Sequence, residues 1–299
     1  MKKILITGSN GLLGQKLIIK LSQNPNFEVI GISRGENRVL NTDFQYKDVN
    51  ICDEKAVVEA FDYFKPEIVI HTAAMTNVDI CESDKEGCID LNVNATRYIL
   101  EAGKKYKSHI IHLSTDFIFD GEDGPYTEEA VPNPLSFYGH SKWDAEKLVM
   151  DYPYLWSIVR TVLVYGVVPG LSRSNIVLWA KGALEKGSPI NVVDDQFRTP
   201  TLAEDLADGC IGIAEHQKGG VYNISGPDFM SVLELVHRVA RFFKLPSEFV
   251  NPISSTTLNQ AAKRPPRTGF DISKAIRDFG YKPNSFEEGL ELVSAQLNK

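Results

Sequence analysis

Cysteine is scarce in this chain, and its four copies, Cys52, Cys81, Cys88 and Cys210, form no Cys-x-x-Cys pair and have no histidine at metal-ligand offsets. That pattern argues against a disulfide scaffold and against a structural metal centre. Reduced thiols, a cytoplasmic setting and no bound metal are the expectation. Positive charge is also short: 32 Lys and Arg against 39 Asp and Glu leave a formal net charge of −7. This excludes a sequence-independent nucleic-acid binder, which neutralises phosphates with a basic surface. A local basic pocket for an anionic small molecule stays open. No apolar run approaches the ~18 residues of a membrane-spanning helix, so no membrane partner is expected. The basic start before "ILIT" has too short an apolar run for a secretory leader and leads into glycines.

What is present is alternation. "KKILITG" reads as a buried strand, followed by helical spacing at Leu12, Leu13, Leu17, Ile18 and Leu21. "FEVIGIS" and "FQYKDV" read as the next strands. Asp53 then caps a helix running to Phe64, because its carboxylate can accept from first-turn amides. "EIVIHTAA", "HIIHLSTDFIF" and "SIVRTVLVYG" are strands four to six, separated by helices at "LNVNATRYILEAGKKY" and from Tyr138 to Tyr152. Strands this rich in Val, Ile and Leu are buried on both faces, as in a parallel sheet covered by helices. Sustained strand–helix alternation predicts an α/β doubly wound parallel sheet over residues 1–166.

After Gly166 the texture changes. "VVPGLSRSN" is loop-like, "IVLWAKGALEKG" is helical with Trp179 read as core, and "INVVDDQFRTPT" is a strand entering a polar loop. "NPISSTTLNQAAKRPPRTGF" is a long irregular segment carrying Lys263, Arg264 and Arg267, of the kind that is usually functional or disordered. Residues 167–200 and 227–299 are assigned to a smaller C-terminal substrate-binding lobe, with 201–226 returning to the first domain.

"TGSNGLLG" places Gly8, Gly11 and Gly14 directly after the first strand, at the opening of the first helix. Glycines let the backbone turn tightly and approach a pyrophosphate, whose charge then faces free amides and the positive end of the helix dipole. The loop Gly8, Asn10, Gly11, Leu12, Leu13 and Gly14 is therefore assigned to a dinucleotide. A carboxylate at the end of the second strand normally selects NAD. Here that strand ends "GISRGENR", and Arg34, with Arg38 assisting, suits a 2′-phosphate. NADPH is favoured, with NADH as the alternative.

"SFYGHSK" sets Tyr138 and Lys142 four residues apart, hence on one helix face. With eleven Tyr in the chain, about one such match is expected by chance, so position must decide. The pair opens a helix just after the strand ending "STDFIFDG", where open α/β sheets place ligands. A free phenol titrates near 10, and a nearby ammonium favours its ionised form; moving it by about three units takes ~4 kcal/mol. Thr115, or Ser114 beside it, can polarise a substrate carbonyl.

The glycine spacing, "DVN", "HTAA" and "LNVNAT" resemble the extended short-chain dehydrogenase/reductase superfamily, with a Rossmann fold. By that resemblance Thr115, Tyr138 and Lys142 are the catalytic set, with Tyr138 and Lys142 also touching the cofactor. Asp48 and Val49 border the adenine, Ala73 and Ala74 pass under the pyrophosphate and ribose, and Asn92 braces the strand ends. "STDFIFDG", "PLSFYGHSKWDAEK", "RTVLVYG", "DDQFRTPT" and "KRPPRTGFDISK" are similar to the dTDP-4-dehydrorhamnose reductase family. This implies NADPH-dependent reduction of a 4-keto nucleotide sugar, with Thr76, Asp79, Asp116, Phe117, Arg198, Arg264 and Arg267 on the substrate side, the three arginines at the diphosphate. Two alternatives remain: another nucleotide-sugar reductase or epimerase, and a regulatory module resembling the methionine adenosyltransferase β subunit, which shares an Arg in a "QQRFPT"-like segment. Phe117 stands where the dehydratases carry Glu, and no Cys lies where the GDP-sugar epimerase-reductases use one. A homodimer is left open.

Overall fold

The computed structural model describes residues 1–171 and 174–298. The apolar runs form β1 (Lys2–Thr7), β2 (Phe27–Ser33), β3 (Gln45–Asp48), β4 (Ile68–His71), β5 (His109–Thr115) and β6 (Trp156–Thr161). Shorter strands follow: β7 (Val164–Tyr165), β8 (Ile190–Val193), β9 (Phe197–Arg198), β10 (Thr201–Leu202), β11 (Gly220–Asn223), β12 (Met230–Ser231), β13 (Val250–Ile253) and β14 (Arg267–Thr268). The helices are α1 (Leu12–Leu21), α2 (Glu54–Phe64), α3 (Val78–Ser83), α4 (Lys85–Ile89), α5 (Ala95–Lys104), α6 (Phe137–Met150), α7 (Ile176–Glu185), α8 (Ala203–His216), α9 (Val232–Phe242), α10 (Ser273–Phe279) and α11 (Phe286–Leu297).

Seven strands make one parallel sheet in the order β11-β6-β5-β4-β1-β2-β3. This is the doubly wound architecture expected. Ile4, Ile6, Leu17, Ile18, Leu206 and Ile213 pack one face, while Leu5, Ile30, Val57, Phe61, Ile99 and Ile158 pack the other. Each such fully buried side chain contributes about 1.5–3 kcal/mol. A further cluster gathers Tyr165, Val177, Leu235, Val239, Phe286 and Leu290 beyond the sheet. Asp53 caps α2 as anticipated, its Oδ1 accepting from the amides of Lys55 (3.0 Å) and Ala56 (3.2 Å).

Several boundaries differ from the sequence reading. The fifth strand stops at Thr115, whose hydroxyl accepts from the Phe117 amide at 3.3 Å and turns Asp116–Ile118 into a 3-10 segment. The sixth stops at Thr161, because Leu163 adopts a φ of +41°, sterically costly for a side chain with a Cβ. "LNVNAT" enters α5 through a π-helical turn at Asp90–Asn94. Trp179, expected in the core, is 42% exposed.

Candidate functional site

The strand order reverses between β1 and β4, so the carboxyl ends of these neighbours diverge into a crevice, the usual ligand position of open α/β sheets. The glycine loop sits there. Gly8 has a φ of +66°, and a Cβ on it would lie 3.0 Å from the Ala73 backbone. A Cβ on Gly14 would lie 2.2 Å from the Gly8 carbonyl oxygen. Both positions therefore require glycine. The helix that follows, α1, has Gly11 at its N-cap and no side-chain cap hydrogen bond, and no acidic residue in its first turn. Its amides and dipole are open to an anion. Leu12 and Leu13 form that first turn, with Leu13 also packed on the core.

On the other side of the crevice, Ser136 caps α6 by accepting from the Gly139 amide at 3.2 Å, which fixes the start of the helix. The helix is further pinned by a fully buried ion pair. Arg160 on β6 donates Nε and Nη2 to the Glu146 carboxylate at 3.1 and 2.8 Å. Tyr138 and Lys142, 7% and 2% exposed, thereby point into one buried site. The Thr115 hydroxyl at the end of β5 donates to Asp116 Oδ1 at 3.1 Å and accepts from the Phe117 amide at 3.3 Å. Ser114 Oγ beside it is buried and has no hydrogen-bond partner among the described residues.

Electrostatics here run opposite to the sequence expectation. Burial pushes the Tyr138 phenol well above its usual range, with Asp116, Cys81 and Cys88 adding to it and the Thr115 hydroxyl opposing them. The phenol is held protonated, because an apolar site penalises the phenolate. Lys142 instead turns to β5, donating to the Leu113 carbonyl at 2.7 Å and to His112 Nε2 at 3.2 Å. Burial lowers its pKa to about 8, against the opposing pull of Glu146 and Cys88. A buried phenol and a buried ammonium thus stand together on α6 at the crevice.

The sequence matches the RmlD substrate binding domain family over residues 1–299. A dTDP-4-dehydrorhamnose reductase from Aggregatibacter actinomycetemcomitans is 30% identical over 307 residues, 99% of both chains. The chain belongs to the RmlD substrate binding domain family. The methionine adenosyltransferase 2 subunit beta of Rattus norvegicus is 31% identical over 278 residues, 91% of this chain and 81% of that one. Among solved structures, a dTDP-4-dehydrorhamnose reductase from Bacillus anthracis in complex with NADP superposes with a TM-score of 0.85 at 27% identity, covering 99% of this chain and 100% of that one.

Within this RmlD-type chain the substrate-side candidates divide. Asp116 and Phe117 stand beside Thr115 and Tyr138, the Phe117 ring edge-on to Tyr138 with centroids 5.7 Å apart. Thr76 is exposed after β4. Asp79 and Arg264 meet each other, Oδ2 to Nη2 at 2.6 Å and Oδ1 to Nη1 at 3.3 Å, tying the late irregular segment to α3. Arg267 lies over Phe197 and Phe229, 4.8 and 5.2 Å from their centroids. Arg198, expected at a diphosphate, is 4% exposed and donates to the carbonyls of Phe197, Pro265 and Pro266. Its Nε faces Asp116, so the fork is consumed inside the protein.

The cofactor-side candidates differ in how they act. Asn92 accepts from the Met75 amide at 2.8 Å and donates to the Met75 carbonyl at 3.2 Å and to Ser141 Oγ at 3.0 Å, bracing the end of β4 against α6. Ser141 thus belongs to the support of the site, donating to the Tyr138 carbonyl at 2.7 Å. Val49 is buried, with its amide on the Ser33 carbonyl. Ala73 and Ala74 are half-buried at the crevice floor. Cys81 and Cys88 share the apolar cluster around Tyr138, which their wide spacing did not disclose. His71 and His112 were missed too, since a histidine in a strand carries no pattern.

Proposed function

We propose that this chain reduces the 4-keto group of a nucleotide-linked deoxysugar with NADPH, with dTDP-4-dehydro-L-rhamnose as substrate and dTDP-L-rhamnose as product. The observation that carries the reading is the burial of Tyr138 and Lys142 together on α6 at the crevice beside the glycine loop. The cradle fits a dinucleotide: Gly14 lets the helix pack closely on the Gly8–Ser9 backbone, which keeps the turn tight, and the first turn of α1 offers uncapped amides to a pyrophosphate. The reduced nicotinamide, when bound, supplies hydride. Thr115 donates to the substrate carbonyl oxygen and sets its orientation. Tyr138 gives its phenolic proton to that oxygen as negative charge develops there. Lys142 holds the ribose hydroxyls, and Arg34 answers a 2′-phosphate. The sheet, residues 1–166 and 201–226, binds the cofactor, while 167–200 and 227–299 face the sugar nucleotide. Arg264 and Arg267 are the candidates for its diphosphate.

A second reading has specific support, since the relatives include methionine adenosyltransferase 2 subunit beta at 31% identity. It makes this chain a regulatory subunit that keeps a cofactor site. One assay separates the two. NADPH absorbance should fall when the protein meets dTDP-4-dehydro-L-rhamnose or another nucleotide 4-keto sugar. No turnover across such a panel, with co-purification of an adenosyltransferase, would sink the reductase reading.

A further inference from the structure

The turn after β2 should be a loose one. Arg34, Gly35, Glu36, Asn37 and Arg38 are all exposed, and Gly35 has a φ of +77°. An exposed loop of this kind is normally mobile. Here three side chains from outside the turn hold its backbone. Asn10, 8% exposed, accepts from the Arg38 amide at 2.9 Å and donates to the Glu36 carbonyl at 2.9 Å. The Tyr46 hydroxyl donates to the Gly35 carbonyl at 2.6 Å and accepts from Asn10 Nδ2 at 3.2 Å. Asp48 Oδ1 accepts from the Gly35 amide at 2.9 Å.

Side-chain hydrogen bonds of this density cost conformational entropy and are spent on backbone groups that water could equally satisfy. What they fix is the origin of two arginine side chains. Arg38 is partly committed, donating Nη1 to the Gly170 carbonyl at 2.8 Å. Arg34 lies at the end of β2, beside the glycine loop from which Asn10 reaches across.

We infer that Asn10 and Tyr46 are positioning residues that preform the Arg34–Arg38 turn as the receptor for the cofactor's 2′-phosphate, and so set preference for the phosphorylated dinucleotide. This rests on the NADPH-dependent reading above. It changes the part given to Asn10: its side-chain amide faces the turn and does not need to touch the cofactor. Preorganisation matters because a guanidinium whose backbone is already fixed loses less freedom on binding.

The experiment compares dissociation constants for NADPH and NADH, by fluorescence titration, in the wild type, Tyr46→Phe and Asn10→Asp. Tyr46→Phe removes one oxygen and keeps the ring. It should weaken NADPH about tenfold and change NADH by less than about twofold, since only the phosphorylated ligand uses the turn. Asn10→Asp should do the same more strongly, losing both amide donors and adding negative charge. Equal losses for both dinucleotides, or no loss, would overturn the inference and leave the reductase reading intact. A wild type that binds both dinucleotides without preference would also overturn it. A wild type that binds neither would overturn both readings.

Discussion

Asp116 and Arg198 form an ion pair, Oδ2 to Nε at 3.5 Å, in which neither side chain is more than 5% exposed. Burial pushes the Asp116 carboxyl upward, while Arg198 and the hydroxyls of Thr268 and Thr115 pull it back down. Thr115 is thus linked through Asp116 to Arg198, and through Arg198 to the carbonyls of Pro265 and Pro266. The Thr115 hydroxyl and the late irregular segment share one buried polar network.

Removing one partner of such a pair leaves an uncompensated buried charge. Arg198→Met should cost about 3–5 kcal/mol of stability by chemical denaturation. A raised substrate KM with stability within about 1 kcal/mol of wild type would instead return Arg198 to the diphosphate.

If Tyr138 is the proton donor proposed above, Tyr138→Phe should lower turnover by roughly 10²–10⁴ while NADPH affinity stays within about threefold, because the ring that packs the site is kept. Single-turnover rates beside a cofactor titration separate the two. Retention of full turnover would remove Tyr138 as the acid.

The rate should also depend on pH through Lys142. On the proposed reading its charged form holds the ribose, and burial lowers its pKa to about 8. Turnover should therefore fall as pH rises through about 8, and the protonated Tyr138 should add no limb of its own below that. A profile flat well above that pH speaks against a role for the ammonium.

Gly14→Ala tests the cradle. Its methyl would lie 2.2 Å from the Gly8 carbonyl oxygen and 2.7 Å from Ser9 Cα, both backbone atoms that cannot swing away. Dinucleotide binding should be abolished and the melting temperature lowered. Normal NADPH binding in this variant means the turn lies elsewhere.

Stability should decline in acid for a reason centred on His71. This ring is buried and bridges the hydroxyls of Thr7 at 2.7 Å and Thr96 at 3.1 Å. Burial, then Lys142, lowers its pKa to about 3 from 6.5, and His112 is shifted the same way. A depressed histidine is neutral in the fold, so its stability contribution is intact above about 6.5. It is lost as pH falls from there towards about 3, at ~1.4 kcal/mol per pH unit for each such group. Urea midpoints should drop between about pH 7 and pH 5; a constant midpoint contradicts this.

The sheet was legible because it is written locally. Ile4, Leu5 and Ile6 are all fully buried, and a run of that kind before Gly8 needs no distant information. The glycine loop and the pair Tyr138 and Lys142 were legible for the same reason, since turn and helix-face spacings are short-range. What escaped was pairing at long range. Arg160 and Arg198 each occur in an otherwise strand-like run, where a charge reads as solvent-facing, yet their carboxylates come from other elements, Glu146 on α6 and Asp116 after β5. The Tyr138 phenol followed the same pattern: the sequence supplied the ammonium four residues on, but not the burial that outweighs it. Leu163, with its positive φ, ended a strand that its apolar neighbours would have continued.

β11 pairs with β6 through Gly220↔Ser157 to Asn223↔Arg160, and Leu206, Ile213 and Tyr222 complete the core that β1 and α1 begin. During synthesis the first six strands therefore emerge long before the piece that covers one of their faces. A nascent chain stopped near Gly166 would present an open strand edge and an uncovered apolar layer, the features that draw chaperones and aggregation. The first strand of this protein waits for the seventh strand of its sheet before it is safe.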